Sequence, residues 1–354
     1  MGGCRPDYRV SEETMRDILT ELEYWWKDNK QIALATVVQT WGSSPRGVGS
    51  KMAITLDRKV IGSVSGGCVE NAVIEAGIQS LKTNRPQLLH FGVMDETAWE
   101  VGLACGGSID VFVKPLGNDS FEELLSAFNT DSSFVIATVI RGPDKLLGHE
   151  ILFHENNHPT GWSRNSLDGQ LLDLSSEILS QETSRRIKLN DEVEIFLETI
   201  LPQPTLILIG GVHIAVALTS LAKTLGYRTV IIDPRKAWGS KERFPEVDQL
   251  IQAWPEDAFE EIEVTRSTAI VTLTHEPRLD DPALKIALES TAFYIGALGS
   301  KATHAKRCER LLNDGMDESQ LSRIHAPVGL DIGARSPEEI ALAIMAEVVE
   351  AHRK

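Results

Sequence analysis

The sequence has few cysteines and no long apolar run, and each shortage excludes a class of protein. Its four cysteines, Cys4, Cys68, Cys105 and Cys308, form no Cys-x-x-Cys pair in 354 residues. This is too sparse for a disulfide-rich scaffold or a structural zinc site, so we expect reduced thiols. No apolar run is long enough to cross a bilayer, and the N-terminal MGGCRPDYR lacks the hydrophobic stretch of a secretory signal. We therefore expect a cytoplasmic protein.

Basic residues are outnumbered as well. The 35 lysines and arginines stand against 51 aspartates and glutamates, which gives a formal net charge of −16. This excess of negative charge argues against a broad surface for nucleic acid or for an anionic membrane, because both are polyanions. It leaves room for a local basic pocket around one phosphate.

The length and the order of the predicted elements indicate two domains. A chain of 354 residues exceeds what one hydrophobic core usually supports. For residues 1–200 we predict a mixed α+β domain, with its core at about 11–118 and a strand-rich extension over 119–200. Two prolines in LPQP mark the boundary. From residue 201 to 354, strands and helices alternate as in a Rossmann-like, doubly wound parallel α/β sheet.

Apolar periodicity predicts the individual elements of the first domain. Ser11 is a candidate cap for a helix whose apolar stripe runs from Met15 to Trp26, and strands are predicted at 32–40, 52–56 and 60–64. Further along, residues 119–129 are predicted as a helix. The segments FVIATVI, LLGHEILF and DEVEIFLETI are predicted as strands.

The stretch GSVSGGCVE, residues 62–70, places a thiol where a glycine-rich loop gives way to a predicted helix. Gly66 and Gly67 allow backbone conformations that a Cβ forbids and allow a ligand to approach closely. The helix is predicted to include Cys68 in its first turn, where the dipole favours a thiolate. The alternative is that Cys68 is a small, unreactive core residue.

A second thiol has a similar setting. In LACGGSIDVFVKP, Cys105 precedes Gly106 and Gly107 and then a predicted strand. Two loops that combine a cysteine with glycines in one domain strengthen the hypothesis that both thiols have a binding role.

The loop WGSSPRGVG, residues 41–49, is a candidate oxyanion site. It combines glycines with the hydroxyls of Ser43 and Ser44 and the guanidinium of Arg46, and Lys51 follows just beyond it. Backbone N–H groups and a guanidinium fork can hold a phosphate. A plain surface turn would use the same residue types, because Gly, Ser and Pro are turn formers.

The second domain begins with a damaged dinucleotide-binding pattern. TLILIGG is predicted as a buried strand, followed by a helix over about 212–226 and the strand RTVIID, which ends at Asp233. In the G-x-G-x-x-G register, Val212 stands where the second glycine lets the pyrophosphate approach. The pattern therefore favours a Rossmann fold over NAD or NADP binding. Asp233 is a candidate for a ribose hydroxyl or a cap of the following turn.

Later strands place further polar residues at the sheet edge. Strands are predicted at 268–275 and 292–300, followed by helices from about Pro282 and through Arg310. His275, Asp280 and Asp281 follow one strand, and Gly299, Ser300 and Lys301 follow another. His275 is a candidate general base or ligand, or a structural histidine. Ser336, Pro337 and Glu339 predict a capping box for the last helix.

Several of these segments, in this order, resemble the XdhC/CoxI (XdhC/CoxF) family of maturation factors for xanthine and carbon monoxide dehydrogenases. In the first domain the resemblance rests on GSSPRGVGSKM, GSVSGGCVE and LACGGSIDVFV. In the second it rests on TLILIGGVHIAVAL, IIDPR, LTHEPRLDDPAL, YIGALGSK and PVGLDIGARSPEEIA. The chain departs from the family at Val212, where a glycine usually precedes His213.

The resemblance implies a cytoplasmic chaperone rather than an enzyme. Such a protein binds molybdenum cofactor (molybdopterin), protects it while the sulfido ligand is installed, and delivers it to a xanthine dehydrogenase-type hydroxylase; a cysteine desulfurase is a second candidate partner. Cys68 and Cys105 become candidates for contacting molybdenum or carrying sulfur, and soft dithiolene-bound molybdenum can accept a thiolate. A homodimer is the expected assembly. The candidate cofactor-binding residues are Ser43, Ser44, Arg46, Lys51, Gly66, Gly67, Cys68, Cys105, Gly106, Gly107, Gly210, Gly211, His213, Asp233 and His275.

Two alternatives come from other functional classes. An NAD(P)-dependent oxidoreductase would use the second domain, with Asp233 and His275. A docking scaffold would bind a dehydrogenase or a desulfurase without cofactor, and both cysteines would then be structural.

Overall fold

The computed structural model describes residues 15–42, 44, 46–67, 69–92, 107–130, 132–154, 160–161 and 168–353. The chain forms two compact units, of which the first ends at Leu201 and the second begins at Pro202. The helices of the described residues are α1 (Met15–Lys27), α2 (Glu70–Thr83), α3 (Asn118–Asn129), α4 (Asp168–Ser180), α5 (His213–Thr224), α6 (Pro255–Ala258), α7 (Pro277–Glu289), α8 (Lys301–Asn313), α9 (Glu318–Leu321) and α10 (Pro337–His352). Within these ranges, none is both long and apolar enough to cross a membrane.

The strands fall into three sheets. In the first unit they are β1 (Ile32–Trp41), β2 (Lys51–Thr55), β3 (Val60–Gly62), β4 (Gln87–Phe91), β5 (Ser108–Pro115), β6 (Phe134–Arg141), β7 (Glu150–His154), β8 (Thr160–Gly161), β9 (Arg185–Lys188) and β10 (Glu194–Ile200). In the second unit they are β11 (Thr205–Ile209), β12 (Arg228–Ile232), β13 (Gln249–Ile251), β14 (Thr268–Thr272), β15 (Tyr294–Ala297) and β16 (Ile324–His325).

The two sheets of the first unit share one topology. Their strand orders are β3-β2-β1-β5-β4 and β8-β7-β6-β10-β9, and all their pairs are antiparallel. A helix precedes each sheet in the chain, α1 or α3, and a second helix, α2 or α4, follows its third strand. α2 packs on the outer face of the first sheet and α4 on that of the second, while α1 and α3 share a core cluster with both sheets. The first unit therefore consists of two copies of one structural repeat, each with a five-stranded sheet and two helices.

Local details repeat as well. Each central strand carries the sequence Ala-Thr-Val, at residues 35–37 and 137–139, followed by a bulged residue. The next loop closes in the same way, because Gly49 N donates to Val37 O over 2.8 Å and Gly148 N donates to Val139 O over 2.8 Å. The shared Ala-Thr-Val is one trace of the repeat in the sequence.

Two buried ion pairs lie between the sheets of the first unit. Lys51 Nζ is 2.7 Å from Glu198 Oε2, and Lys114 Nζ is 2.5 Å from Glu150 Oε2. The strand registers make Lys51 the counterpart of Glu150, and Lys114 the counterpart of Glu198. The repeat thus relates the two pairs to each other with their charges exchanged. Burial raises the pKa of Glu198, and the neighbouring Lys51 opposes that rise.

The second unit confirms the predicted Rossmann-like sheet. Its order is β13-β12-β11-β14-β15-β16, and every pair is parallel. Helices α5 and α10 cover one face, and α6, α7 and α8 contribute to the core on the other. The order reverses between β11 and β14, which places a crevice at their carboxyl ends. The predicted capping box at Ser336 is confirmed, with Glu339 N donating to Ser336 Oγ over 3.2 Å.

Several predicted boundaries were wrong. The helix predicted to contain Cys68 begins at Glu70, because Ser63 and Ser65 bind that residue's carboxylate in the loop ahead of it. α7 begins at Pro277, a first helical position that suits proline, rather than at about Pro282, which lies inside the helix. The strand predicted in LLGHEILF begins only at Glu150, after a turn. α4, β4 and β9 were missed.

Candidate functional site

The loops that carry the first unit's motifs leave its first sheet at one edge. β1 ends at Trp41, which pairs with Ser108 at the start of β5. β2 begins at Lys51, and its next residue pairs with Gly62 at the end of β3. Because neighbouring strands are antiparallel, all these ends lie at the same side of the sheet. β3 and β5 are separated by three strand spacings, roughly 14 Å.

The two candidate thiols, Cys68 and Cys105, lie outside the described residues, as do Ser43 and Gly106. Cys68 follows the loop that leaves β3, and Cys105 precedes β5. Gly107, next to β5, is buried. Gly66 and Gly67 adopt φ of 72° and 119°, as expected for a loop built on glycine, and no atom of the described residues lies within 4 Å of a Cβ at Gly67. Among the residues that the structure describes, no group of three His, Cys, Asp or Glu side chains is placed to hold a metal ion.

The carboxylate of Glu70 organises the loop ahead of α2. Its Oε1 accepts from Ser63 Oγ at 2.8 Å and from Ser65 N at 2.9 Å. Its Oε2 accepts from Ser65 Oγ and, at 2.8 Å, from Gly67 N. Burial alone would raise the pKa of Glu70, but the hydrogen bonds from Ser65 and Ser63 bring that pKa below its usual range. Sequence reasoning missed Glu70, although it lies within GSVSGGCVE.

Glu70→Gln is expected to loosen this loop and to remove a pH dependence. A carboxylate with a depressed folded-state pKa stabilises the fold above its unfolded-state value and loses that contribution as pH falls through the folded-state pKa. The difference in melting temperature between parent and variant should therefore be constant at neutral pH and shrink below the ordinary glutamate pKa of 4.5. Amide hydrogen exchange at Ser65 and Gly67 should also accelerate at pH 7.

The matched control is Glu75→Gln on the same helix, where Glu75 is exposed and pairs only with exposed Arg58 among the contacts of the described residues. Its exchange pattern at Ser65 and Gly67 should equal that of the parent. Equal protection in the Glu70 and Glu75 variants would contradict the organising role of Glu70.

Of the two cationic residues predicted to bind a phosphate, Arg46 and Lys51, only Arg46 remains a candidate. Ser44 Oγ donates to Arg46 O over 2.7 Å, which is the local turn that the residue types also favoured. The structure contradicts the prediction that Lys51 contacts a phosphate. It is 1% exposed, and its Nζ donates to Glu198 and, over 3.1 Å, to Thr36 Oγ1. Its ammonium is occupied in the core and is no candidate for a ligand phosphate.

In the second unit, internal contacts occupy the glycine loop. Gly211 N donates to Asp233 Oδ2 over 2.8 Å, and a Cβ at Gly211 would lie 2.4 Å from Trp238 O. Asp233 is fully buried and also accepts from Arg235 Nε at 2.9 Å and Arg235 Nη2 at 2.8 Å. Burial would raise the pKa of Asp233, but these bonds from Arg235 and Gly211 lower it. The groups that would meet a ribose or a pyrophosphate are used by the fold itself.

The remaining predicted residues lie at helix starts. His213 is the first residue of α5, largely exposed, with Nε2 3.9 Å from Glu338 Oε1. Gly210 has φ of 104° and packs against Thr274, next to His275. The structure brings His275 close to the loop after β15, because a Cβ at Gly299 would lie 3.6 Å from His275 Nδ1. The residues predicted after β14, around His275, and those predicted after β15, around Gly299, therefore lie next to each other at the edge of the sheet.

Comparison with known proteins identifies the family. Residues 206–348 match the model of the XdhC Rossmann domain, and residues 25–92 match that of the XdhC and CoxI family. The chain is 30% identical to a probable xanthine dehydrogenase subunit of Bacillus subtilis (strain 168), over 96% of this chain and 99% of that protein. The chain belongs to the XdhC/CoxI family, as its motifs predicted.

Two further relatives extend the comparison. The molybdenum cofactor insertion chaperone PaoD of Escherichia coli (strain K12) is 26% identical over 97% of this chain and 91% of its own length. A crystal structure from Bacillus halodurans, described as a xanthine dehydrogenase, has the same fold, with a TM-score of 0.75 and 24% identity over 95% of both chains.

Proposed function

We propose that this protein carries molybdenum cofactor as cargo and delivers it to a xanthine dehydrogenase-type molybdenum hydroxylase. The observation that carries the proposal is the common edge of the first sheet, from which the loops of GSSPRGVGSKM, GSVSGGCVE and LACGGSIDVFV all depart. A single ligand at that edge can contact segments that are far apart in the chain. The names of two relatives, a molybdenum cofactor insertion chaperone and a probable xanthine dehydrogenase subunit, support the same role.

The chemistry of the edge suits a ligand that must be released again. Thiolates are soft ligands that match molybdenum held by dithiolene sulfur, and one or two of them make an open site rather than a closed metal cage. In the proposed site Cys68 and Cys105 contact the metal, and Arg46 with the neighbouring loop amides holds the pterin phosphate. Glu70 restrains the loop on which Cys68 lies by accepting the Gly67 N–H at 2.8 Å.

Loss of both thiols is expected to empty the protein of cargo. Cys68→Ala/Cys105→Ala, purified from cells that make the cofactor, should retain about tenfold less molybdenum and pterin than the parent, which corresponds to about 1.4 kcal/mol. Each single variant should fall between the two. Metal analysis and fluorescence of the oxidised pterin measure the two components separately.

Cys308→Ala is the matched control, because Cys308 is the free thiol of α8 in the second unit. It should retain cargo like the parent. A double variant that holds as much cofactor as Cys308→Ala would refute the thiol contacts. If the double variant still captured a co-expressed hydroxylase, and the parent carried no cofactor, the docking-scaffold hypothesis would replace the carrier hypothesis.

A further inference from the structure

A cavity of about 320 Å³ lies in the second unit between the first turns of α7 and α8. These turns follow β14 and β15, so the cavity occupies the carboxyl edge of the sheet, where ligands of doubly wound folds bind. His275, Asp280, Thr303, Lys306, Arg307 and Arg310 line it. Two segments that carry the family resemblance lie at this cavity. LTHEPRLDDPAL contributes His275 and Asp280 to its lining, and YIGALGSK ends directly before the lining residues of α8.

Two buried side chains in the cavity lack partners, within the described part of the chain, for some of their polar groups. Arg307 and Asp280 are each 2% exposed. Arg307 Nη2 donates to Leu298 O over 2.9 Å, whereas its Nε and Nη1 have no such partner. Asp280 Oδ1 accepts from Thr274 Oγ1 at 2.7 Å, whereas its Oδ2 has none. Arg307 Nη2 and Asp280 Oδ2 are 3.9 Å apart, too far for a hydrogen bond.

Leaving such groups unsatisfied is unfavourable, which makes them evidence for a missing ligand. The unpaired guanidinium nitrogens require an acceptor, and the unpaired carboxylate oxygen requires a donor. A single small molecule with an anionic group beside a hydroxyl or an amine meets both requirements.

The other residues that line the cavity favour an anionic ligand. α8 is a helix of 13 residues whose first turn, with Thr303, faces the cavity, and its amide hydrogens and dipole attract anions there. Arg310 is held by Asp281 through bonds of 2.6 and 2.9 Å, but Lys306 has no ion-pair partner among the described residues. This is a concentration of positive charge in a chain whose net charge is −16.

We propose that this cavity binds a phosphorylated small molecule. The phosphate oxygens accept hydrogen bonds from Arg307, Lys306 and the amides of Lys301 and Ala302, since Thr303 N already donates to Ser300 Oγ over 3.1 Å. A hydroxyl or amine beside the phosphate donates to Asp280. The backbone beside the cavity adopts two uncommon conformations. His275 adopts φ of 60°, unusual for a residue with a side chain, and Gly299 adopts φ of 142° where a Cβ would crowd Thr303 at 3.2 Å. The site does not use the glycine loop, whose polar groups are occupied internally.

The same chemistry has two sources, a free nucleotide or the pterin phosphate of the cargo, and only the second rests on the proposed function. The test therefore uses protein purified from cells that do not make molybdenum cofactor, titrated calorimetrically with inorganic phosphate, pyrophosphate and ADP. We expect saturable binding of at least one probe. Lys306→Ala should weaken it about tenfold, the loss of one charged hydrogen bond. Asp280→Asn should weaken ADP more than inorganic phosphate.

Lys285→Ala is the matched control. Lys285 lies on α7 but pairs with Asp314, beyond the far end of α8, and it does not line the cavity. It should leave every affinity unchanged. In parent protein that carries cargo, ADP binding that persists assigns the cavity to a nucleotide, and ADP binding that is blocked assigns it to the pterin phosphate.

Absence of saturable binding of all three probes at millimolar concentration would overturn the proposal, as would equal affinities in Lys306→Ala and Lys285→Ala. Because the titrated protein comes from cells that do not make molybdenum cofactor, neither result depends on whether the chain carries that cofactor. A parent that lacks molybdenum but binds ADP would refute the carrier and leave the cavity assignment intact.

Discussion

Lys51→Met is expected to destabilise the first unit by about 3–5 kcal/mol, because it leaves the carboxylate of Glu198 buried without its partner. The two groups are 2.7 Å apart, with side-chain exposures of 2% and 8%. Urea unfolding at pH 7, followed by a signal from the first unit, measures the loss.

The pH dependence of this effect has a definite sign. The folded-state pKa of Glu198 is already raised above 4.5 in the parent, chiefly by burial, and loss of Lys51 raises it further. A group with a raised folded-state pKa stabilises the fold below its unfolded-state value and loses that contribution as pH rises. The destabilisation by Lys51→Met should therefore be smallest near pH 4 and grow towards neutral pH.

The double variant Lys51→Met/Glu198→Leu should recover most of the stability, to within about 1–2 kcal/mol of the parent, since well-packed apolar residues can replace a buried ion pair. Lys27→Met serves as the control for removing an amine, because its pair with Glu23 is exposed; a change within about 0.5 kcal/mol is expected. A double variant no more stable than Lys51→Met alone would contradict the assignment of the loss to an unpaired buried charge.

Gly210→Ala is expected to destabilise the second unit by about 3–5 kcal/mol, from backbone strain together with overpacking. Gly210 adopts φ of 104°, and its Cβ would lie 2.2 Å from Thr274 Cγ2. Thr274 cannot rotate freely away, because its hydroxyl holds Asp280 at 2.7 Å. The same substitution should therefore also weaken phosphate binding in the cavity.

Gly226→Ala separates the two causes. Gly226 has φ of 79°, but no atom of the residues that the structure describes lies within 4 Å of a Cβ there, so only the backbone cost of about 1–2 kcal/mol is expected. Thermal unfolding of both variants gives the comparison. Equal losses in the two would mean that Thr274 yields to the added methyl group.

Local signals explain what could be predicted from the sequence. The capping box at Ser336, the strands β1, β2 and β3 and the alternating strands and helices from β11 onwards all depend on neighbours a few residues apart or on apolar periodicity. The family motifs of the first domain lie in segments that leave or enter strands at one edge of the first sheet. Their common edge follows from strand pairing between Trp41 and Ser108, which no local pattern contains.

The failures have other causes. Lys51 follows a loop that resembles a phosphate cradle, yet its partner lies 147 positions away in the second sheet. Glu70 reads as an ordinary first-turn acid, and Arg307 as one of several polar residues on α8. Lys51 and Arg307 meet their surroundings only after folding, whereas the partners of Glu70 lie within seven residues of it and were overlooked.

The exchanged charges of the internal repeat determine which halves of the first unit can associate. Two copies of the first half, packed as the two halves pack here, would set Lys51 against Lys114 twice, since Glu198 corresponds to Lys114. Two copies of the second half would likewise set Glu150 against Glu198. Like charges buried at that spacing repel strongly. Each half therefore pairs favourably with the other half and unfavourably with a copy of itself, which disfavours association of two identical halves from neighbouring chains.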